Sequence, residues 1–311
     1  MVRNNAFDAA KGLLIILVIL GHVLLGSISE NVGREAIYFF HMPIFLAISG
    51  FYISDHILSC SIADVFKKYK NKLIIPFCVA FIFYTSLKII INGELDFKTI
   101  VFSFLYPFYH LWYVPAVLIF IFYIRIINAI KIRCSILFYF ICFVFFASTI
   151  YFEGYGQDAF QGTVYHLLGD KRFYYFFSYF YLGYLLSKFK FKMSFDFIIA
   201  SLLLSFVVYT YSDAPLILGL AKFTANISLI LIFITLFGFG ANYFSSFFSK
   251  VGMVSLPIYL WHVLPILFLK KISLNDSEYY SFSLVVISIF LIIVVNFKGR
   301  FKFLDKYFYG C

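Results

Sequence analysis

Lys11 and His22 share one apolar stretch, FDAAKGLLIILVILGH, with ten residues between them. At about 100° per residue, eleven helical steps return both to nearly one face, and Asp8 falls on the same side. Imidazole ordinarily titrates close to neutral pH, so a histidine in hydrocarbon is a candidate general base for a hydroxyl nucleophile. Lys11 lies roughly 16 Å from His22 along the helix axis, too far for contact, and the two must serve different tasks. Asp8 can neutralise Lys11 as an i,i+3 pair. Ionisable groups within a bilayer are costly and usually functional; the alternative for Lys11 is a stem that snorkels to the interface.

Further histidines fall at a similar depth. His41 opens FHMPIFLAISGF, His110 and Trp112 stand together in HLWYVP, and His262 lies in SLPIYLWHVLP between Pro257 and Pro265. Prolines free backbone carbonyls, and such breaks are tolerated beside cavities. Either His41 or His262 can orient His22 or donate to a developing oxyanion, with His41 the first choice; an interhelical hydrogen bond is the structural alternative for each. Lys72 closes KKYKNKLIIP, where a cation can meet phosphates or serve topology alone. Lys88 and Lys222 fall near helix ends and read as snorkelling lysines. Trp112 suits a sugar face or an interfacial aromatic belt.

The elements that must carry these residues are apolar. Of 311 residues 63% are hydrophobic and 13% charged, and apolar runs recur near 6–26, 36–55, 73–92, 110–129, 134–152, 173–188, 193–211, 216–239, 251–270 and 279–297. This predicts an all-α integral membrane protein, a bundle of about ten transmembrane helices forming a single domain over residues 1–311. TIVFSFLYPFY, before the fourth run, is too short to cross and reads as re-entrant or interfacial. The connection from Glu153 to Lys171, which includes His166, is long enough to act as a lid or a solvated connector.

Most of the 25 Lys and Arg residues fall on one side of these runs, which makes both termini cytoplasmic. The net charge of +10 is spread in short strips beside the spans, matching anionic lipid rather than nucleic acid. Asp8 and Lys11 interrupt the first run, which reads as an uncleaved span. The five cysteines lie outside every predicted outer loop, against a disulfide framework. No glycine-rich nucleotide loop, GxSxG elbow or zinc-spaced set occurs, so no metal is expected.

Taken in order, FDxxKG…GH with Lys11 and His22, FHMPIFLAISGF, KLIIP, HLWYVP and IYLWH resemble the motifs of the membrane-bound acyltransferase-3 family. That family includes bacterial O-acetyltransferases of surface polysaccharides and fucose-acetylase-like relatives. The resemblance implies a multi-pass protein of the bacterial inner membrane that takes an acyl group from cytoplasmic acetyl-CoA or another acyl-CoA. It would deliver that group to a hydroxyl of a surface or lipid-linked glycan, and no obligate protein partner is implied. On this reading His22 is the base and His41 the first candidate to assist it. Lys11 and Lys72 attract the donor's phosphates, and Asp8, Trp112 and His262 support the site. Lysine in place of the family's commoner arginine at 11 and 72 leaves a point-charge contact rather than a bidentate one. The rival reading is a transporter or flippase for a lipid-linked sugar or small organic acid. It would show paired halves, and the interrupted segments near 107 and 257 have no counterpart.

Overall fold

A computed structural model of the chain describes residues 5–92, 102–108, 110–156, 169–189, 193–238 and 246–311. Among the described residues every regular element is helical, as hydrocarbon requires of segments that must satisfy their own backbone groups. The first helices are α1 (Asn5–Val23), α2 (Val32–Phe51) and α3 (Ile75–Asn92). Helix α3 is continuous with a short helix, Ile62–Tyr69, through a π-helical turn at Lys70–Ile74. There follow α4 (Tyr113–Arg133), α5 (Ser135–Tyr155), α6 (Phe177–Lys188), α7 (Phe195–Tyr211) and α8 (Pro215–Gly238). The chain closes through α9 (Ser246–Met253), α10 (Ser255–Trp261), α11 (Val263–Lys270) and α12 (Asp276–Phe297).

Among the described residues six helices are long and apolar enough to cross a membrane, or seven if the bent α9 to α11 segment is one span. Helices α6 and α7, with 12 and 17 residues, are shorter than that standard. Residues 99–101 and 109 of the stretch read as re-entrant or interfacial, and residues 157–168 of the Glu153–Lys171 connection with His166, lie outside the described residues.

Three glycine crossings bring helix backbones together. A Cβ on Gly12 would collide with the carbonyl of Phe248, and one on Gly252 with that of Asp8, so α1 and α9 touch backbone to backbone. Gly50 and Gly183 do the same for α2 and α6, and Gly154 and Gly219 for α5 and α8. Without a strong hydrophobic drive between helices in lipid, such close packing is a main source of association.

The segment from α9 to α11 bends by 66° at Val254. Pro257 cannot donate to the carbonyl four residues earlier, and that oxygen, on Met253, instead accepts from Lys298 Nζ at 3.1 Å. The other end of α1 is also held. Its terminal carbonyls, which have no partner within the helix, accept from Lys270 Nζ at His22 (3.1 Å) and from Tyr279 Oη at Val23 (3.0 Å).

Candidate active site

A cavity of about 960 Å³ opens at the end of the bundle where residues 24–31 join α1 to α2. His22, Tyr38, His41, His110, Trp112 and Tyr259 are among its lining residues. His22 occupies the last turn of α1, half-buried, and its Nδ1 shares a 3.2 Å hydrogen bond with Tyr38 Oη from α2. The His262 ring lies 5.1 Å from that of His22, centroid to centroid, and 5.3 Å from that of His110. His41 joins the group through Tyr38, whose ring centroid is 5.1 Å from its own. The structure thus brings together all four histidines that the sequence puts at one depth.

Carbonyl oxygens only accept, which fixes where the ring protons sit. His41 Nδ1 donates to Ile37 O at 2.6 Å, and His262 Nδ1 donates to Ile258 O and Tyr259 O at 3.0 and 2.8 Å. His110 Nε2 donates to Leu260 O at 3.0 Å. In the neutral rings the remaining nitrogen of each carries a lone pair and no proton. In these neutral tautomers neither His41 nor His262 has a second N–H for an oxyanion, the role expected of one of them. His262 Nε2 and His110 Nδ1 are buried and have no hydrogen-bond partner among the described residues.

The predicted phosphate-binding residues sit elsewhere. Lys11 is half-buried with Nζ 4.5 Å above the Tyr52 ring, Asp8 is buried on the same helix, and Lys72 is exposed on the π-helical turn. None of the three is among the described residues lining the cavity. Trp112 is in the lining, stacked on Phe176 at 5.2 Å, with the Arg172 guanidinium 4.9 Å above it. Asp170 Oδ1 accepts from Arg172 Nε at 2.9 Å.

Lys222 also lines the cavity, where the sequence suggested a lysine reaching for the interface. Its Nζ pairs with Glu153 Oε2 at 2.7 Å, and the Glu153 side chain is 6% exposed. Tyr179 Oη donates to the other oxygen of Glu153 at 3.1 Å, and Tyr209 Oη donates to Glu35 Oε1 at 3.3 Å. Sequence reasoning missed Tyr38 and Glu153. Tyr38 stands three residues before His41, on the same helical face, which is the one local signal for it.

Among the described residues no group of three or more His, Cys, Asp or Glu is arranged to hold a metal ion. The family model of an acyltransferase domain matches residues 4–297, and the chain belongs to the acyltransferase-3 family. It is a helical membrane protein of a family that transfers acyl groups. The chain is 43% identical over 81 residues to nodulation protein NolL of Sinorhizobium fredii, a match covering 24% of this chain and 22% of that protein. A second nodulation protein NolL, from Mesorhizobium japonicum, is 40% identical over 81 residues with the same coverage. The matched segment therefore spans about a fifth of the length of these curated relatives. No solved structure matches the chain.

Proposed function

We propose that this protein moves an acyl group, most simply acetyl, from acyl-CoA on the cytoplasmic side to a hydroxyl of a surface or lipid-linked glycan. The acceptor enters the cavity at the His22 end, which faces outward in a bacterial inner membrane. Both termini are cytoplasmic and about ten helices cross as one domain over residues 1–311. Charge asymmetry between the loops supports that orientation, and family membership favours acyl transfer over transport.

The observation that carries the reading is His22 at the wall of a sizeable cavity, its Nδ1 engaged by Tyr38. With Nδ1–H donated to Tyr38 Oη, Nε2 holds the lone pair and is the base. A hydrogen bond at one ring nitrogen selects the tautomer that acts at the other. Nε2 takes the proton from the acceptor hydroxyl as that oxygen attacks the thioester carbonyl. The carbon–sulfur bond then breaks, and the CoA thiolate leaves with the proton that His22 returns. In the same arrangement the Tyr38 hydroxyl keeps its own proton for the developing oxyanion, a role that neutral His41 and His262 cannot fill. Lys11 and Lys72 draw the CoA phosphates to the opposite end, and the acyl arm extends along α1.

The test uses membranes containing the protein, labelled acetyl-CoA and acceptor glycan. His22→Ala should abolish transfer with expression retained, and normal turnover by that variant would overturn the assignment. Mass spectrometry of surface glycans with and without the protein names the acyl group and its carrier together.

A further inference from the structure

The three carboxylates of the cavity wall are each engaged before any ligand arrives. Glu153 is bound by Lys222 and Tyr179, Asp170 by Arg172, and Glu35 accepts from Tyr209. The Arg34 guanidinium donates to Gly26 O and lies 5.5 Å above the Tyr38 ring, while Lys171 Nζ sits 5.7 Å from the Phe152 ring centroid. At the Glu153–Lys222 and Asp170–Arg172 pairs an anionic group would have to pull the cation away from its carboxylate and leave that carboxylate buried and unpaired, which is strongly unfavourable. A hydroxyl both donates and accepts, so it can add to such a pair without breaking it.

The Glu153–Lys222 pair has no evident purpose in the fold. Buried ion pairs rarely stabilise more than apolar residues of similar volume would. This one is built with care even so: Gly154, next to Glu153, crosses Gly219, three residues before Lys222, and Asn226 Nδ2 ties α8 to Phe39 O of α2 at 3.1 Å. That bond holds Lys222 against the helix bearing Glu35. Lys222 spends one N–H on Glu153 and has two more to offer. At about 960 Å³ the cavity lies near the top of the range of roughly 300–1,000 Å³ typical of ligand pockets.

The geometry points to Glu153 and Lys222 as the pair that binds hydroxyls of the acceptor sugar and disfavours a carboxylate in their place. This deepens the preceding proposal and rests on its assignment of the cavity to the acceptor.

The test reads binding apart from turnover. The full chain in detergent or nanodiscs, carrying Trp261→Phe so that Trp112 alone reports, is titrated with a panel of neutral trisaccharides. Each is matched by the same trisaccharide with its primary hydroxyls oxidised to carboxylates. Neutral members should bind at least tenfold more tightly than their oxidised partners. Lys222→Met should weaken neutral binding at least tenfold, and so should Glu153→Gln combined with Lys222→Gln, which removes both charges while keeping a hydrogen-bonding pair. Lys271→Met, an exposed lysine beyond α11, should change nothing. Equal or tighter binding of the oxidised sugars, no neutral binding across the panel, or wild-type binding by both Lys222 variants would overturn the inference. If sugar binds as expected but labelled acetyl is never transferred, it is the acyltransfer reading that fails.

Discussion

His22 and His262 each stand ten residues beyond the glycines at which their helices touch, Gly12 and Gly252, and their rings lie 5.1 Å apart. From that crossing α1 leads to His22 as one helix and the other segment leads to His262 across its 66° bend at Val254, and the two imidazoles arrive side by side. The backbone contact near one end of the bundle sets the ring contact near the other.

Gly252→Ala should therefore cost both stability and catalysis. The added methyl meets the Asp8 carbonyl, and overpacking of this kind costs roughly 1–3 kcal/mol. A misplacement of about 1 Å at His262 can lower kcat roughly 10²-fold. Gly219→Ala, at the crossing beside Lys222, should lower thermal stability to a similar degree but raise the acceptor KM instead. Melting curves and steady-state kinetics on both variants separate the two effects.

Tyr38→Phe removes the partner of His22 Nδ1 and keeps the ring that packs on His41. Losing the tautomer control and the hydroxyl proton together should reduce kcat by about 10²-fold, within the span usual for acid–base groups. The donor KM should stay near wild type. A Tyr38→Phe enzyme of full activity would place the base elsewhere.

His262→Ala takes away the buried ring that lies against His22, and His41→Ala a ring one step removed, across Tyr38. Turnover should fall more for the first than for the second, the reverse of the order expected from sequence. Single-turnover transfer of labelled acetyl measures the ranking directly.

Lys270→Met deletes the hydrogen bond to the His22 carbonyl at the end of α1. The loss should be about 1 kcal/mol of stability, with a kcat decrease smaller than that of Tyr38→Phe. Denaturation followed by tryptophan fluorescence, alongside rates, would show it.

The apolar runs read from the sequence are helical in the structure, and the break near Pro257 is present, because periodicity and proline chemistry are local properties. The His22 stretch, expected over 6–26, forms Asn5–Val23. Matching depth was enough to gather four histidines. It was not enough to rank them, since the roles of His41 and His262 depend on which carbonyls their rings meet. Lys222 was misread for the same reason: its partner Glu153 is 69 residues earlier, and no helical period announces a pair that only the crossing of α5 and α8 creates. Tyr38 was hidden among 25 tyrosines until its contact with His22 was seen.

Helix α12 bears on catalysis from a distance. Tyr279 holds the carbonyl of Val23, and Tyr280 Oη accepts from Leu25 N at 3.2 Å, so α12 grips the chain immediately after His22. Among its residues only Tyr279, Ser283 and Val294 are buried within the protein, leaving most of its outer face to lipid. A thinner or thicker bilayer that tilts this helix should drag on the turn bearing His22, the proposed base, making lipid chain length a control on turnover.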